Sequence, residues 1–289
     1  MATVIDGKQT AAAVQARVAR EVAEFVAETG HTPGLVTILV GEDPASQVYV
    51  RSKGERTREL GMASFHEQLP ATSSQDEVES AVARWNADER VDGILVQLPL
   101  PSHIDETKVT YAVAPSKDVD GFHPVNAGNL YLGTPLHVPA TPAGCMALLE
   151  EYGVDPKGKN AVVIGRSEIV GRPAAMLLLH AHATVTICHS RTVDLGAEVR
   201  RADIVVAAVG VPGIVAPDMV KPGATVIDVG LTRGEDGKIR GDVDPAVADV
   251  AGLLTPMPGG TGPMTIALLL ESAVKAARYR RGILPYPTL

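Results

Sequence analysis

The chain has 289 residues, 45% of them hydrophobic and 21% charged, and a formal net charge of −8. That composition excludes a largely disordered chain and disfavours a nucleic-acid partner, because phosphate backbones are held by basic surfaces. At roughly 150 residues per domain, the length predicts about two domains.

In chain order, residues 14–27 set apolar Val14, Val18, Val22 and Phe25 at helical spacing, and Gly30 and Pro33 end that helix. The run LVTILVG at 35–41 predicts a buried parallel strand. Asp43 followed by Pro44 starts a helix that runs to about Leu60, with Gly61 as its stop. A helix is predicted at 75–86 and a strand at 92–101, DGILVQLPLP. Residues 115–141 are rich in Asp, Gly, Pro and Asn, lack periodicity and read as a long loop, the kind that carries function or links domains. A helix follows at 143–151.

A cleaner alternation then begins. Strands are predicted at 160–165, 183–189, 203–210, 224–230 and near 252–254, with helices at 173–180 and 194–200. The last helix, 264–281, has a basic end in Lys275, Arg278, Arg280 and Arg281. Strands alternating with helices predict βα units and mainly parallel sheets. With three Phe, one Trp and six Tyr, aliphatic side chains must build most of the core. Cys145 and Cys188 form no CxxC pair, so no disulfide framework or zinc knuckle is expected, and free thiols fit a reducing compartment. The segment MATVIDGKQT shows no basic region followed by an apolar run, and no uncharged apolar stretch reaches the ~18 residues of a membrane helix. A soluble, cytoplasmic protein with no membrane partner is expected.

The turn Gly165-Arg166-Ser167-Glu168-Ile169-Val170-Gly171 joins a strand to a helix, the context of a dinucleotide fingerprint. Ser167 replaces the second glycine and the last glycine comes one place late, so the pattern alone is weak; a glycine turn that binds nothing is the competing reading. The next strand ends at His189-Ser190-Arg191 rather than in a carboxylate. An acid there would repel a 2′-phosphate, whereas arginine and hydroxyl groups would hold one, which favours NADP over NAD; solvated surface charges are the alternative. A near P-loop at 153–160, G-x-x-x-x-G-K-N, ends in Asn160 and precedes a strand instead of following one, so it reads as a helix-to-strand loop.

Tyr49 and Lys53 stand at i and i+4 and share one face of their helix. A phenol stacks on a flat heterocycle, and a buried lysine moves protons; an ordinary amphipathic helix is the competing reading. Gln97 ends a buried strand, where open α/β sheets place their ligands. Asp118 and Asp120 lie in the long loop with no third ligand at metal spacing, so no metal is expected. The stretch 256–265, PMPGGTGPMT, is a rigid glycine-rich turn into the last helix.

Taken together, Tyr49-Val50-Arg51-Ser52-Lys53, DGILVQLPLP, KDVDGFHPVNAGNL, GRSEIVGRP, HSRT and PGGTGPMT occur in an order that resembles the bifunctional methylenetetrahydrofolate dehydrogenase/methenyltetrahydrofolate cyclohydrolase family, over most of the chain from about Asp6 to about Val274. The resemblance implies an α/β fold of two domains, each a mainly parallel sheet with helices, the second Rossmann-like, with a cleft between them. It places a catalytic folate-binding domain at 1–138, completed by a C-terminal helix at 263–289, and an NADP-binding domain at 139–262. It implies NADP-dependent oxidation of 5,10-methylenetetrahydrofolate to the methenyl cation and hydrolysis to 10-formyltetrahydrofolate. Lys53 is then the catalytic lysine, Tyr49 stacks on and positions the folate, and Gln97 holds Lys53. Asp120 binds the pterin edge, where a carboxylate suits adjacent N–H donors. Pro258, Gly259 and Gly260 complete the folate contacts, the glycines by close backbone approach. Gly165, Arg166, Ser167, Ile169, Gly171, Ser190 and Arg191 hold the cofactor.

The family likeness further implies a homodimer through the NADP domain. A cationic intermediate disfavours a charged lysine beside it, so Lys53 is expected to be at least partly neutral during the cycle. Thr261 stands where the family usually has valine and is expected to alter affinity through its hydroxyl. Glu168 is expected to weaken cofactor binding slightly. Another NADP-dependent dehydrogenase, of amino-acid or shikimate type, and a non-catalytic NADP-binding protein are the alternative readings; neither accounts for Tyr49, Lys53, Gln97 and Asp120 together.

Overall fold

The structure is a computed structural model that describes residues 1–234 and 236–284. In chain order its elements are β1 (Thr3–Val4), α1 (Gly7–Thr29), β2 (Gly34–Val40), α2 (Pro44–Glu59), β3 (Ala63–Leu69), α3 (Gln75–Ala87), β4 (Gly93–Val96), α4 (Glu106–Ala112), α5 (Pro124–Leu132) and α6 (Ala140–Glu151). They continue as β5 (Asn160–Ile164), α7 (Gly171–His180), β6 (Thr184–Cys188), α8 (Leu195–Arg200), β7 (Ile204–Ala207), β8 (Thr225–Asp228), β9 (Thr232–Arg233), β10 (Ile239–Arg240), β11 (Leu253–Leu254) and α9 (Thr261–Arg280). The chain divides into two compact units. One joins Met1–Ala13 to Pro139–Leu268; the other joins Val14–Val138 to the chain from Leu269 onward. The expected C-terminal segment 263–289 includes 285–289, which lie outside the described residues.

The unit that begins at Val14 is built on a parallel three-stranded sheet in the order β3-β2-β4. All seven residues of β2 are buried, as expected of a strand covered on both faces. Val18 and Phe25 of α1 are fully buried, and Val36, Ile38, Val78, Val82 and Ile94 form the shared core. Each such side chain contributes roughly 1.5–3 kcal/mol relative to exposure. Helix α3 starts on a capping box, with Ser74 Oγ accepting from the Glu77 amide and Glu77 accepting from the Ser74 amide.

Several elements differ from the sequence reading. The segment expected to be a loop from 115 to 141 holds α5, entered through Pro124 with the His123 ring accepting from the Val125 amide, and ended by Gly133 at φ 82°. β3 has no clear sequence signal, because an edge strand with a half-solvated face alternates too weakly to stand out from a loop. Helix α1 begins at Gly7 rather than Val14, because Asp6 accepts the amides of Lys8 and Gln9 at 2.9 and 3.1 Å and supplies a start signal upstream of the apolar stripe.

The other unit is a parallel six-stranded sheet in the order β1-β11-β8-β7-β5-β6, with helices packed on it and a short antiparallel hairpin, β9–β10. β5, β7 and β8 occupy its interior, where the runs NAVVI, IVVA and TVID bury nearly every side chain. This is a Rossmann-like arrangement, in which ligands bind beyond the carboxyl ends of the strands. Cys145 and Cys188 are buried free thiols, and burial pushes the Cys145 thiol up to about 12. Among the described residues no helix is long and apolar enough to cross a membrane, and no group of three or more His, Cys, Asp or Glu is placed to hold a metal.

Candidate active site

Helix α2 places a lysine on its buried stripe. Asp43 caps it by accepting from the Ser46 amide at 2.8 Å, and Ser46, Val50, Lys53 and Thr57 then follow at i, i+4, i+7 and i+11, all buried. Lys53 is only 8% exposed. Tyr49, one turn earlier, sits at the stripe's edge, 45% exposed, with the Lys53 ammonium nitrogen 5.9 Å from its ring centroid.

β4 delivers the second group. It ends at Val96, and Gln97 extends its pairing by donating its amide to the Ile38 carbonyl at 2.9 Å. The Gln97 side-chain Nε2 donates to the Leu98 carbonyl at 2.7 Å, which leaves Oε1 to accept from Lys53 Nζ at 2.9 Å. The orientation of the carboxamide is thus set at both ends.

The third group comes from the segment after α4, which runs alongside β4 through the Ile94 amide donated to Lys117 O at 2.7 Å and a parallel bridge from Ile94 to Asp118. Its two acids have different tasks. Asp118 accepts from the His123 amide at 2.8 Å and from Asn126 Nδ2 at 2.9 Å, so it shapes the entry to α5. Asp120 has no hydrogen bond or ion pair among the described residues. Lys117, 2% exposed, donates to the carbonyls of Trp85, Asn86 and Asp88 and caps the end of α3.

These surroundings shift the two ionisable groups towards each other. Burial pushes Lys53 below the usual lysine range, against the attraction of the Asp120 carboxylate. Burial pushes Asp120 up to about 7, with Lys53 pulling it down and Asp118 pushing it up. Asp120 keeps a solvent-facing edge, yet protein packs around it closely enough for burial to dominate. A buried lysine held by a carboxamide and electrostatically coupled to a carboxyl with open hydrogen-bonding capacity suits acid–base chemistry on a polar ring.

In the six-strand unit, Gly165 follows β5 at φ 123°, and a Cβ there would lie 2.4 Å from the Ala208 carbonyl oxygen. A Cβ at Gly171 would lie 2.3 Å from the Gly165 carbonyl oxygen, so the start of α7 packs directly on the glycine turn. Ser167 Oγ accepts from the amides of Val170 and Gly171 at 3.2 and 3.3 Å, filling the turn where a second glycine was expected. Arg166, Ile169, Ser190 and Arg191 are exposed, and neither guanidinium has an ion pair among the described residues. Glu168 is paired with Arg172 at 3.1 Å, which offsets its charge beside the turn. An open glycine turn, a helix N-terminus and two unpaired arginines suit a dinucleotide carrying a 2′-phosphate.

Pro258 and Gly259 of this unit are at least partly exposed, and Gly259 has φ 109°. Gly260 is buried; a Cβ on it would lie 2.7 Å from the Thr255 Cβ, and its own carbonyl oxygen leaves no room for a Cβ on Gly7. Thr261 is 3% exposed and donates its hydroxyl to the Asp228 carbonyl at 3.2 Å, so that hydroxyl is used inside the protein. Sequence reading missed Asp228 and Asp242, whose carboxylates organise the loops after β8 and β7. The only local signal was Gly-Asp-Val-Asp at 241–244, which resembles any turn.

Two family models match the chain. One, described as tetrahydrofolate dehydrogenase/cyclohydrolase, catalytic domain, covers residues 5–120; the other, described as tetrahydrofolate dehydrogenase/cyclohydrolase, NAD(P)-binding domain, covers 139–281. The chain is 57% identical over 278 residues to the bifunctional protein FolD of Moorella thermoacetica, across 96% of this chain and 99% of that one. It is similar to the solved FolD enzyme of Campylobacter jejuni, at 46% identity and a TM-score of 0.93, covering 97% and 100% of the two chains. It is also similar to the Trypanosoma brucei FolD enzyme complexed with NADP cofactor and inhibitor, at 41% identity and a TM-score of 0.91, covering 98% and 99%.

Proposed function

The chain belongs to the tetrahydrofolate dehydrogenase/cyclohydrolase family, and we propose that its Lys53 site carries out both of the family's reactions. It oxidises 5,10-methylenetetrahydrofolate to the methenyl cation and hydrolyses that cation to 10-formyltetrahydrofolate. The observation that carries the assignment is the Lys53–Gln97 hydrogen bond beside Asp120.

Bound NADP supplies the acceptor for the hydride. Gly165, Arg166, Ser167, Ile169, Gly171, Ser190 and Arg191 would hold it, the arginines and serine at the 2′-phosphate. On the folate side, Tyr49 offers an exposed ring face for stacking and Asp120 accepts the polar N–H edge of the pterin. Pro258, Gly259 and Gly260 contribute backbone to the substrate. With its hold on its proton lowered by burial, Lys53 repels the positive charge that develops on the folate less strongly. Its lone pair then takes the proton of the water that attacks the methenyl carbon, while Gln97 Oε1 keeps the amine aimed. Oxidation releases one hydride, and hydrolysis adds one water and releases one proton.

The folate-binding and catalytic part is read as 1–138 with the C-terminal helix, and the NADP part as 139–262. The protein is read as a cytoplasmic homodimer without a nucleic-acid or membrane partner. Two free thiols support the compartment, and the net charge of −8 disfavours a nucleic-acid partner. The dimer is supported by β6, an edge strand on which Ile187 is exposed, and by the fully exposed Val193 in the loop that follows it.

The test is to mix the protein with 5,10-methylenetetrahydrofolate and NADP and follow absorbance. NADPH formation with transient methenyl absorbance is expected. Neither signal would defeat the assignment, and NADPH with persistent methenyl would remove the cyclohydrolase half.

A further inference from the structure

Two buried carboxylates at the carboxyl ends of β7 and β8 take no part in the chemistry above. Asp242 is fully buried and Asp228 is 2% exposed. Asp242 Oδ2 accepts from the amides of Val209 and Gly210 at 2.6 and 3.1 Å, and its Oδ1 accepts from the Val211 amide at 2.7 Å. Three consecutive donors of the loop after β7 therefore point into the protein. Asp228 in turn holds Asp242: its Oδ1 accepts from the amides of Gly230 and Asp242, both at 2.9 Å, and its Oδ2 accepts from Val243 at 3.0 Å.

The fit leaves no slack. A Cβ at Gly230 would lie 2.2 Å from Asp242 Oδ1, and one at Gly241 would lie 1.8 Å from Asp228 Oδ2. The far side of the loop is tied as well, by Thr232 Oγ1 donating to the Gly210 carbonyl at 3.1 Å and by the Val215–Val243 bridge. This loop is adjacent to the dinucleotide turn, since the Ala208 carbonyl and Val209 Cγ1 are two of the nearest atoms to a Cβ built on Gly165.

Three successive amides on one bend would ordinarily form an anion-binding nest. Here Asp242 occupies it from within. What the loop presents outward is Val209, 36% exposed, and Val211, 48% exposed. The phosphates then fall to the 165–171 turn and its arginines, and the loop after β7 is left as an apolar surface without donors.

We propose that Asp242 is a positioning residue for the cofactor: by drawing the amides of Val209, Gly210 and Val211 inward, it makes the loop after β7 a platform for an uncharged ring of the dinucleotide and not a phosphate site. The proposal rests on the reading that NADP binds at the carboxyl ends of this sheet. Asp228 acts one step further back, by fixing Asp242.

The test is Asp242→Asn, which keeps the shape but has one acceptor oxygen for three donors. KM for NADP should rise roughly tenfold, about the loss of one charge-assisted hydrogen bond, with a smaller change in dehydrogenase kcat. Cyclohydrolase activity, measured on methenyltetrahydrofolate without NADP, should be unchanged. An unaltered KM for NADP overturns the proposal. So does a parallel fall of both activities with melting temperature, which would mark a merely structural residue. Amide exchange on the wild-type protein covers the case in which the variant does not fold. The amides of residues 209–211 should be protected without cofactor and gain little from NADP; rapid exchange that slows only on adding NADP would overturn the proposal. These exchange measurements need binding and no turnover, so a failure of the assigned reaction would be seen separately, as wild-type protein that forms no NADPH.

Discussion

Lys53 Nζ donates a 2.9 Å hydrogen bond to Gln97 Oε1, joining a helix residue to a strand-end residue 44 positions later. This bond turns two modest sequence features into one device. Lys53 on a buried stripe is pushed towards neutrality, and Gln97, itself anchored on the Leu98 carbonyl, gives the amine a fixed direction. Burial makes Lys53 give up its proton more readily than an ordinary surface lysine, against the attraction of Asp120.

Asp120 gives a pH signature. Its carboxyl titrates at about 7 in the folded protein, above the ordinary 3.8. A raised carboxyl pKa means that the folded state binds more protons than the unfolded state between those values, so stability from this group is present at low pH and is lost as pH rises through 7. Asp120→Asn should therefore lose less melting temperature between pH 5 and pH 8 than the wild type. The same variant should raise KM for the folate at pH 8, where the wild-type carboxylate is ionised and accepting. Identical melting curves against pH for the two proteins would contradict the burial assigned to Asp120.

Arg191 tests the cofactor assignment. It is exposed and without an ion pair among the described residues, so removing it costs the fold little. Arg191→Ala should raise KM for NADP about tenfold and leave KM for NAD within about twofold, since a charge-assisted contact to a phosphate is worth about 1.5–3 kcal/mol. Steady-state kinetics with both nucleotides decide it; an equal rise for both would move the 2′-phosphate elsewhere.

Gly171 tests the turn itself. Gly171→Ala would push a methyl to 2.3 Å from the Gly165 carbonyl oxygen, which the backbone can relieve only by moving the start of α7. Such overpacking costs about 1–3 kcal/mol, or a few degrees of melting temperature. A larger loss is expected in NADP binding, read by calorimetric titration. Full NADP affinity with unchanged melting would show that the close packing at this turn is not required.

Much of this was legible from the chain alone, where the signal is local. The β-branched runs of β2, β5, β7 and β8 announce buried strands, and Asp43-Pro44 announces the start of α2. The i, i+4 spacing put Tyr49 and Lys53 on one face, and the structure brings Gln97 and Asp120 to them. What stayed hidden depends on distant partners. Nothing local distinguishes Asp118, which is bonded to Asn126 and the His123 amide, from Asp120, which is free for a ligand. From sequence alone Thr261 offers a hydroxyl to ligands, but that group is spent on the Asp228 carbonyl. β1 pairs with β11 across some 250 residues, and no period in the sequence encodes that.

Lys53→Met, assayed for both activities across pH, is the most direct measurement of the account. Methionine keeps the length and removes the amine, and a buried apolar side chain should not lower the melting temperature. The cyclohydrolase rate should fall at least about 100-fold, the low end of what a positioned acid–base group supplies, and the dehydrogenase rate should fall much less, since methionine does not repel the developing cation either. A variant that hydrolyses methenyltetrahydrofolate at the wild-type rate would contradict the role assigned to Lys53.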